Sequence, residues 1–164
     1  MNLKEMTLPE LELHDSLVEE GLRCLLHTIL FVRSPGSVRP QDSHCALLAP
    51  LTYAKCGVPD VDTTVNNAII AFQRSLISVS PTNFRGTIVI SFFETRPTKS
   101  FLGWMKNTEK VYFERWKIPI IINTDALPAE GGDTYSYEWH RIRESGRNDI
   151  KRAMVRILEV NSNN

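Results

Sequence analysis

Residues 86–122 read GTIVISFFETRPTKSFLGWMKNTEKVYFERWKIPIII, two runs of strand-forming residues with an aromatic and basic segment between them. In the first run Ile88, Ile90 and Phe92 alternate with Val89 and Phe93. β-Branched and aromatic residues at this density suit a pleated surface. Both faces are apolar, which predicts a central strand. In the second run, 110–122, Tyr112, Trp116, Ile118, Ile120 and Ile122 take one face, and Arg115 and Lys117 point the other way to solvent. Pro119 has no N–H to give to a ladder, which predicts an edge position or a bulge. A hairpin tip at 96–109 makes the two strands antiparallel.

That tip bears on function. Hairpin loops usually hold roughly two to five residues, whereas this one spans about fourteen, a length tied to function or disorder. It carries Phe101, Leu102, Trp104 and Met105 among Arg96, Lys99, Lys106 and Lys110. Burying one Trp removes about 150–250 Å² from water, at most about 4–6 kcal/mol. Such a ring either docks on a partner or folds back as a lid on its own core. Trp and Phe anchors flanked by cations are typical of binding hot spots. Phe101, Trp104 and Met105 are therefore the candidate protein-binding finger, with the lid as the rival reading.

Working outward, the segment LPELEL (8–13) is a short strand candidate. Asp15 or Ser16 can cap a helix in which Val18, Leu22, Leu25, Leu26, Ile29 and Leu30 recur at helical spacing. Ser34-Pro35-Gly36 ends it. Residues 44–55 read as one or two short strands interrupted at Pro50. Asp60 or Asp62 offers the cap of a second helix at about 61–78, striped by Val65, Ala68, Ile69, Phe72 and Leu76. A loop at 124–134 precedes a last helix near 137–160, where Gly146 costs about 1 kcal/mol relative to Ala and allows a kink. Segregated strands and helices predict an α+β domain, an antiparallel sheet packed against three helices on one face.

The totals agree with one domain over 1–164. Hydrophobic residues make up 42% and charged residues 23%, and 19 basic side chains balance 19 acidic ones. A nucleic-acid-binding domain would carry a basic excess. No apolar run reaches the length of a membrane span. The acidic, polar start is unlike a secretory signal. Three cysteines, Cys24, Cys45 and Cys56, have no CxxC spacing and fit a reducing, intracellular compartment.

Catalytic chemistry is not spelled out. The glycines form neither GxGxxG nor GxxxxGK[ST], and GxSxG and HExxH are missing from the sequence. Cys24 and His27 share a helical face, but a buried histidine bonded to backbone outweighs a metal pair. His44 and Cys45 are adjacent on a strand and so point to opposite faces. No catalytic residue, metal site or cofactor is expected.

Four segments in order carry a family resemblance: ELELHDSLVEEGLRCLLHTILFVRSPG (10–36), LTYAK (51–55), FERW (113–116) and EWHRIRESGRNDIKRAMVRILEV (138–160). They resemble the HORMA-domain family, in its autophagy branch. The resemblance implies a HORMA-like fold and a non-catalytic adaptor or scaffold subunit of the autophagy-initiating kinase complex. It implies heterodimerisation with the HORMA domain of autophagy-related protein 13 and recruitment of downstream autophagy factors by a hairpin finger. The family finger reads Trp-Pro-Phe, whereas this chain has Phe-x-x-Trp at Phe101 and Trp104. By analogy with HORMA dimers the partner surface involves the third helix, at Lys151, Arg152, Val155 and Arg156; the rival reading is a solvated basic face. A cytoplasmic location, including the phagophore assembly site, follows from the same resemblance. The chain stops soon after the third helix, so entrapment of a peptide by a C-terminal segment is not expected. Two alternatives remain: a checkpoint or DNA-repair HORMA adaptor, and a small ubiquitin-conjugating-like enzyme using Cys45 or Cys56.

Overall fold

The computed structural model describes residues 2–98 and 107–162. Its elements are β1 (Lys4–Thr7), β2 (Leu11–His14), α1 (Asp15–Arg33), β3 (Gln41–His44), β4 (Thr52–Lys55), α2 (Pro59–Arg74), β5 (Ile77–Ser78), β6 (Asn83–Thr98), β7 (Asn107–Asn123) and α3 (Asp133–Ser162). The expected α+β architecture with three helices is present, in an arrangement consistent with the HORMA-like layout. The sheet, however, is mixed.

β7 is the central strand. β6 runs antiparallel along one side, with Ile88 opposite Ile118 and Ile90 opposite Trp116. β1 and β2 lie parallel along the other side, beside Glu114–Lys117 and Ile120–Asn123. β5 pairs with β6 only at Phe84 and Arg85. Beyond that point the outer edge of β6 is unpaired among the described residues. Both long strands thus lie inside the order β1-β7-β6-β5, β6 with two residues of β5 on its outer side.

Pro119 does not force β7 to the sheet edge, and the bulge that β7 carries lies elsewhere, at Phe113. The Leu8 N–H donates to the Lys117 carbonyl at 2.9 Å, so the backbone groups of Lys117 face β1 and β2. Polar groups alternate sides along a strand, and Pro119, two residues on, faces the same way. Its missing donor points into the gap between Thr7 and Leu11. A break in the neighbouring strand therefore tolerates a proline at the sheet centre.

A bulge sets the second correction. Phe92 is opposite Glu114 but Phe93 is opposite Tyr112, leaving Phe113 as the extra residue. Trp116, Ile118, Ile120 and Ile122 are buried on one face as predicted, whereas Tyr112 is 42% exposed. Alternation does not survive the bulge. Past it, among the described residues, β6 and β7 pair only with each other, as far as Thr98 opposite Asn107. The expected tip at 96–109 is trimmed by these extra pairs, and residues 99–106 lie outside the described residues.

The helices cover the Trp116 face. On the other face Arg115 and Lys117 both donate to Glu5, at 3.0 and 2.8 Å. α1 is the hub, with Leu17, Val18, Leu22, Cys24, Leu25, Leu26 and Ile29 all buried. Two glycines let α3 approach it. A Cβ on Gly146 would lie 2.7 Å from Leu17 Cδ1, and one on Gly21 would lie 2.9 Å from Ile150 Cδ1. α3 runs continuously through Gly146. Close helix packing accounts for that glycine.

Helix boundaries also moved, α3 among them, which starts at Asp133. α1 is capped by His14, whose Nδ1 accepts from the Ser16 N–H while Nε2 donates to the Asp125 carbonyl at 3.0 Å. α2 starts at Pro59, a residue whose fixed φ suits the first helical position, and Val58 caps it without a side-chain bond. α2 ends at Arg74 because the Ser75 N–H and hydroxyl both bond the Phe72 carbonyl. Leu76 and Phe72 still pack over the β6 backbone at Gly86, where a Cβ would lie 2.7 Å from the Phe72 ring.

Candidate protein-binding site

The β6–β7 ribbon beyond the bulge exposes aromatic surface. Phe93 and Tyr112 meet edge-on with ring centroids 5.6 Å apart, each 42% exposed. Lys110 Nζ sits 4.5 Å from the Phe93 centroid, a cation–π contact worth about 0.5–1 kcal/mol at an exposed site. Phe92 and Phe113 lie at the root, 6.5 Å apart.

The root is anchored by a polar network. Trp116 is fully buried, and its indole N–H donates to Glu114 Oε1 at 2.6 Å. Arg33 Nε donates to the same oxygen at 2.7 Å, and Arg33 Nη1 donates to Asn161 Oδ1 at 3.1 Å. Strand, first helix and last helix are thereby joined beneath the ribbon. Arg33 and Glu114 were missed as a pair by sequence reading; the FERW segment and the RS ending of the first helix contained the signal.

Phe101, Trp104 and Met105, the predicted finger, lie outside the described residues. The second predicted surface is on α3, where Lys151, Arg152, Val155 and Arg156 are all exposed. Arg152 pairs with Asp149, and Arg156 with Glu159 at 3.4 Å. Val155 is 46% and Leu158 47% exposed, which adds apolar area to the basic face.

The sequence candidates for chemistry disperse. Cys24 donates to Met154 Sδ at 3.3 Å, away from His27. His44 is exposed at the end of β3, and Cys45, just past the strand, is buried. His27 is buried but not bonded to backbone as expected: Nε2 lies 3.6 Å from Asp62 Oδ1, and neither Nδ1 nor that Asp62 oxygen has a hydrogen-bond partner. Tyr53 stacks on the ring at 5.7 Å, and Lys55 donates to Asp62 at 2.8 Å. Burial pushes the His27 imidazole below its usual value of 6.5, with Lys55 and Arg23 adding to the effect and Asp62 opposing it.

This has a consequence for stability. As pH falls through about 6.5 the unfolded imidazole takes up a proton that the folded one resists, so protons favour unfolding. The contribution of His27 is complete above 6.5 and is lost as pH falls towards its depressed folded value. Urea titrations at pH 7.5 and 5.0 should show a smaller pH-dependent loss in His27→Gln than in the wild type. Equal losses in the two proteins would assign the acid sensitivity to other groups.

A mixed sheet with helices on one face, and a bare aromatic ribbon running past it, defines a HORMA-like α+β domain. No helix among the described residues is long and apolar enough to cross a membrane. Residues 10–164 match the family model described as autophagy-related protein 101. The chain is also similar to autophagy-related protein 101 of Arabidopsis thaliana, 32% identical over 164 residues, covering 96% of this chain and 74% of the relative. The chain belongs to the autophagy-related protein 101 family, and its role lies in autophagy.

Proposed function

We propose that the protein is a non-catalytic adaptor of the autophagy-initiating kinase complex. It pairs with the HORMA domain of autophagy-related protein 13 through the exposed face of α3 and recruits downstream factors through Phe101, Trp104 and Met105. The phagophore assembly site in the cytoplasm is where this takes place. The observation that supports the reading best is the ribbon itself. Its strands continue past the helix-covered core, its root is pinned by Arg33 and Glu114, and Phe93 and Tyr112 are left half in water at its base. An exposed aromatic pair on a fixed arm suits capture of a partner.

Replacing Phe101 and Trp104 with Ala tests the finger. Unfolding free energy should stay within about 0.5 kcal/mol of wild type, as for surface substitutions. Co-purification with the autophagy-related protein 13 HORMA domain should persist while autophagosome formation falls. A stability loss of several kcal/mol would identify the segment as a lid. Val155→Glu on α3 should do the converse, abolishing co-purification without unfolding the chain; retained co-purification would move the partner surface elsewhere.

A further inference from the structure

The outer edge of β6 can be read residue by residue. The Thr124 N–H donates to the Thr82 carbonyl at 2.8 Å, so the backbone groups of Thr82 face β7. The Asn83 carbonyl accepts from the Val79 N–H at 2.9 Å, so Asn83 faces outward, and Arg85 is opposite Ile77 on that same side. Direction alternates along a strand, which sends the N–H and C=O groups of Thr87, Val89, Ser91, Phe93 and Thr95 outward as well. Among the described residues no strand lies beside any of them. Pro97, next in the series, has no N–H to offer.

Natural edges are blunted by charge, by proline or by a bulge on the edge strand itself. From Gly86 to Phe93 the strand reads GTIVISFF, without a charge or a proline, and the bulge lies on β7. Val89 and Phe93 are 47% and 42% exposed on the face away from the helices. We propose that this edge joins a second copy of the chain, β6 antiparallel to β6, about a two-fold axis at Ser91. The open stretch is symmetric about that residue: β5 closes it at Arg85, Pro97 closes it at the other end, and the two stand equally far from Ser91. In this register Thr87 lies opposite Thr95, Val89 opposite Phe93, and Ser91 opposite Ser91 of the second copy. Every outward N–H and C=O then meets its counterpart. Thr beside Thr, and an aromatic ring beside a β-branched side chain, are favourable cross-strand pairs. On the helix side Ile90 lies opposite Phe92, and at the rims Glu94, held by Arg96, lies opposite Ile88. The second copy's Pro97 falls opposite Arg85, whose outward groups β5 already holds, so the strand turns out of the sheet where it has no donor to lose. An isologous contact of this kind closes at two copies. α3 packs at the other side of the sheet, where Gly146 approaches Leu13, so the surface proposed above for autophagy-related protein 13 takes no part in it.

The test is the mass of the whole chain in solution, read by analytical ultracentrifugation over a dilution series with thiols reduced. The wild type should be a dimer that dissociates on dilution. Val89→Lys sets an ammonium against the second copy's Phe93 and the Lys110 that lies on its ring, and should halve the mass. Circular dichroism should show it folded, since Val89 is exposed. A second measurement reads the register, in a Cys56→Ser background that removes the half-buried thiol. Ser91→Cys should cross-link to a dimer on mild oxidation, because the axis brings that position onto itself. Thr87→Cys should run as a monomer on a denaturing gel, and Thr87→Cys combined with Thr95→Cys should cross-link again. A wild type that stays monomeric at every concentration would leave the edge to a strand of another protein and overturn the proposal. A dimer untouched by Val89→Lys would place the contact elsewhere and overturn it too. Equal cross-linking from Thr87→Cys, or assemblies that grow beyond two copies, would rule out the two-fold axis.

Discussion

Trp116→Ala lowers the free energy of unfolding by about 3–5 kcal/mol, the cost of truncating a fully buried large aromatic. Trp116 is 0% exposed on the central strand, and its face is shared with Ile118, Ile120 and Ile122. Relaxation cannot readily fill the hole, because α1 and α3 are held at fixed spacing by the Gly21 and Gly146 crossings. Domains of this kind are stable by about 5–15 kcal/mol, so the loss is a large fraction of the total. Urea unfolding measures it, with an unchanged slope marking a change in stability alone. Trp116→Phe should cost less, since it keeps an aromatic ring while removing the N–H that Glu114 accepts. Equal costs for Ala and Phe would place the value of this residue in the hydrogen bond rather than in the ring.

Local periodicity was readable and long-range pairing was not. α1 shows its apolar spacing within one stretch of chain, and Ser34-Pro35 marks its end; nothing distant is needed to see it. The order of strands depends on which segments return to the sheet. β6 looked central because both its faces are apolar, yet Val89 is 47% and Phe93 42% exposed, and only β5 borders its outer side. β7 looked like an edge because of Pro119, whose missing donor falls at the break between β1 and β2. β1, four residues of which two are charged, gives no periodic signal; its pairing with Glu114–Lys117 comes from the Glu5 bonds to Arg115 and Lys117. The stripe of α2 misled for a related reason: Leu76 packs on the same sheet position as Phe72 from just beyond the helix end.

The binding site was legible in a different measure. The hairpin, and the aromatic content of its tip, follow from composition alone. The bulge at Phe113, which turns Tyr112 outward to meet Phe93, has no marker in the sequence. Nor does the ion pair at the root, whose partners Arg33 and Glu114 are 81 residues apart. Fixing the ribbon therefore relies on contacts that only the folded chain brings together.

Those contacts predict the second large effect. Arg33→Met keeps much of the apolar stem of the side chain and removes the guanidinium. Glu114, 7% exposed, then retains the indole N–H of Trp116 as its remaining side-chain donor. Leaving a buried charge uncompensated costs about 3–5 kcal/mol. Arg33 and Glu114 side chains keep 18% and 9% exposure, so water screens part of this and the lower end, about 3 kcal/mol, is expected. Glu114→Gln in the Arg33→Met background removes the charge while its amide oxygen still accepts from Trp116. The double variant should recover part of the loss, with a coupling of about 0.5–3 kcal/mol in a double-mutant cycle. A uniform effect of the charge would leave the partner assays untouched. Pinning of the ribbon root instead requires Arg33→Met, under conditions where it remains folded, to weaken recruitment through the finger while co-purification through α3 persists. An Arg33→Met cost near 0.5 kcal/mol, the range of ordinary surface changes, would show that the root is not held by this pair and that the ribbon's direction is set by the sheet alone.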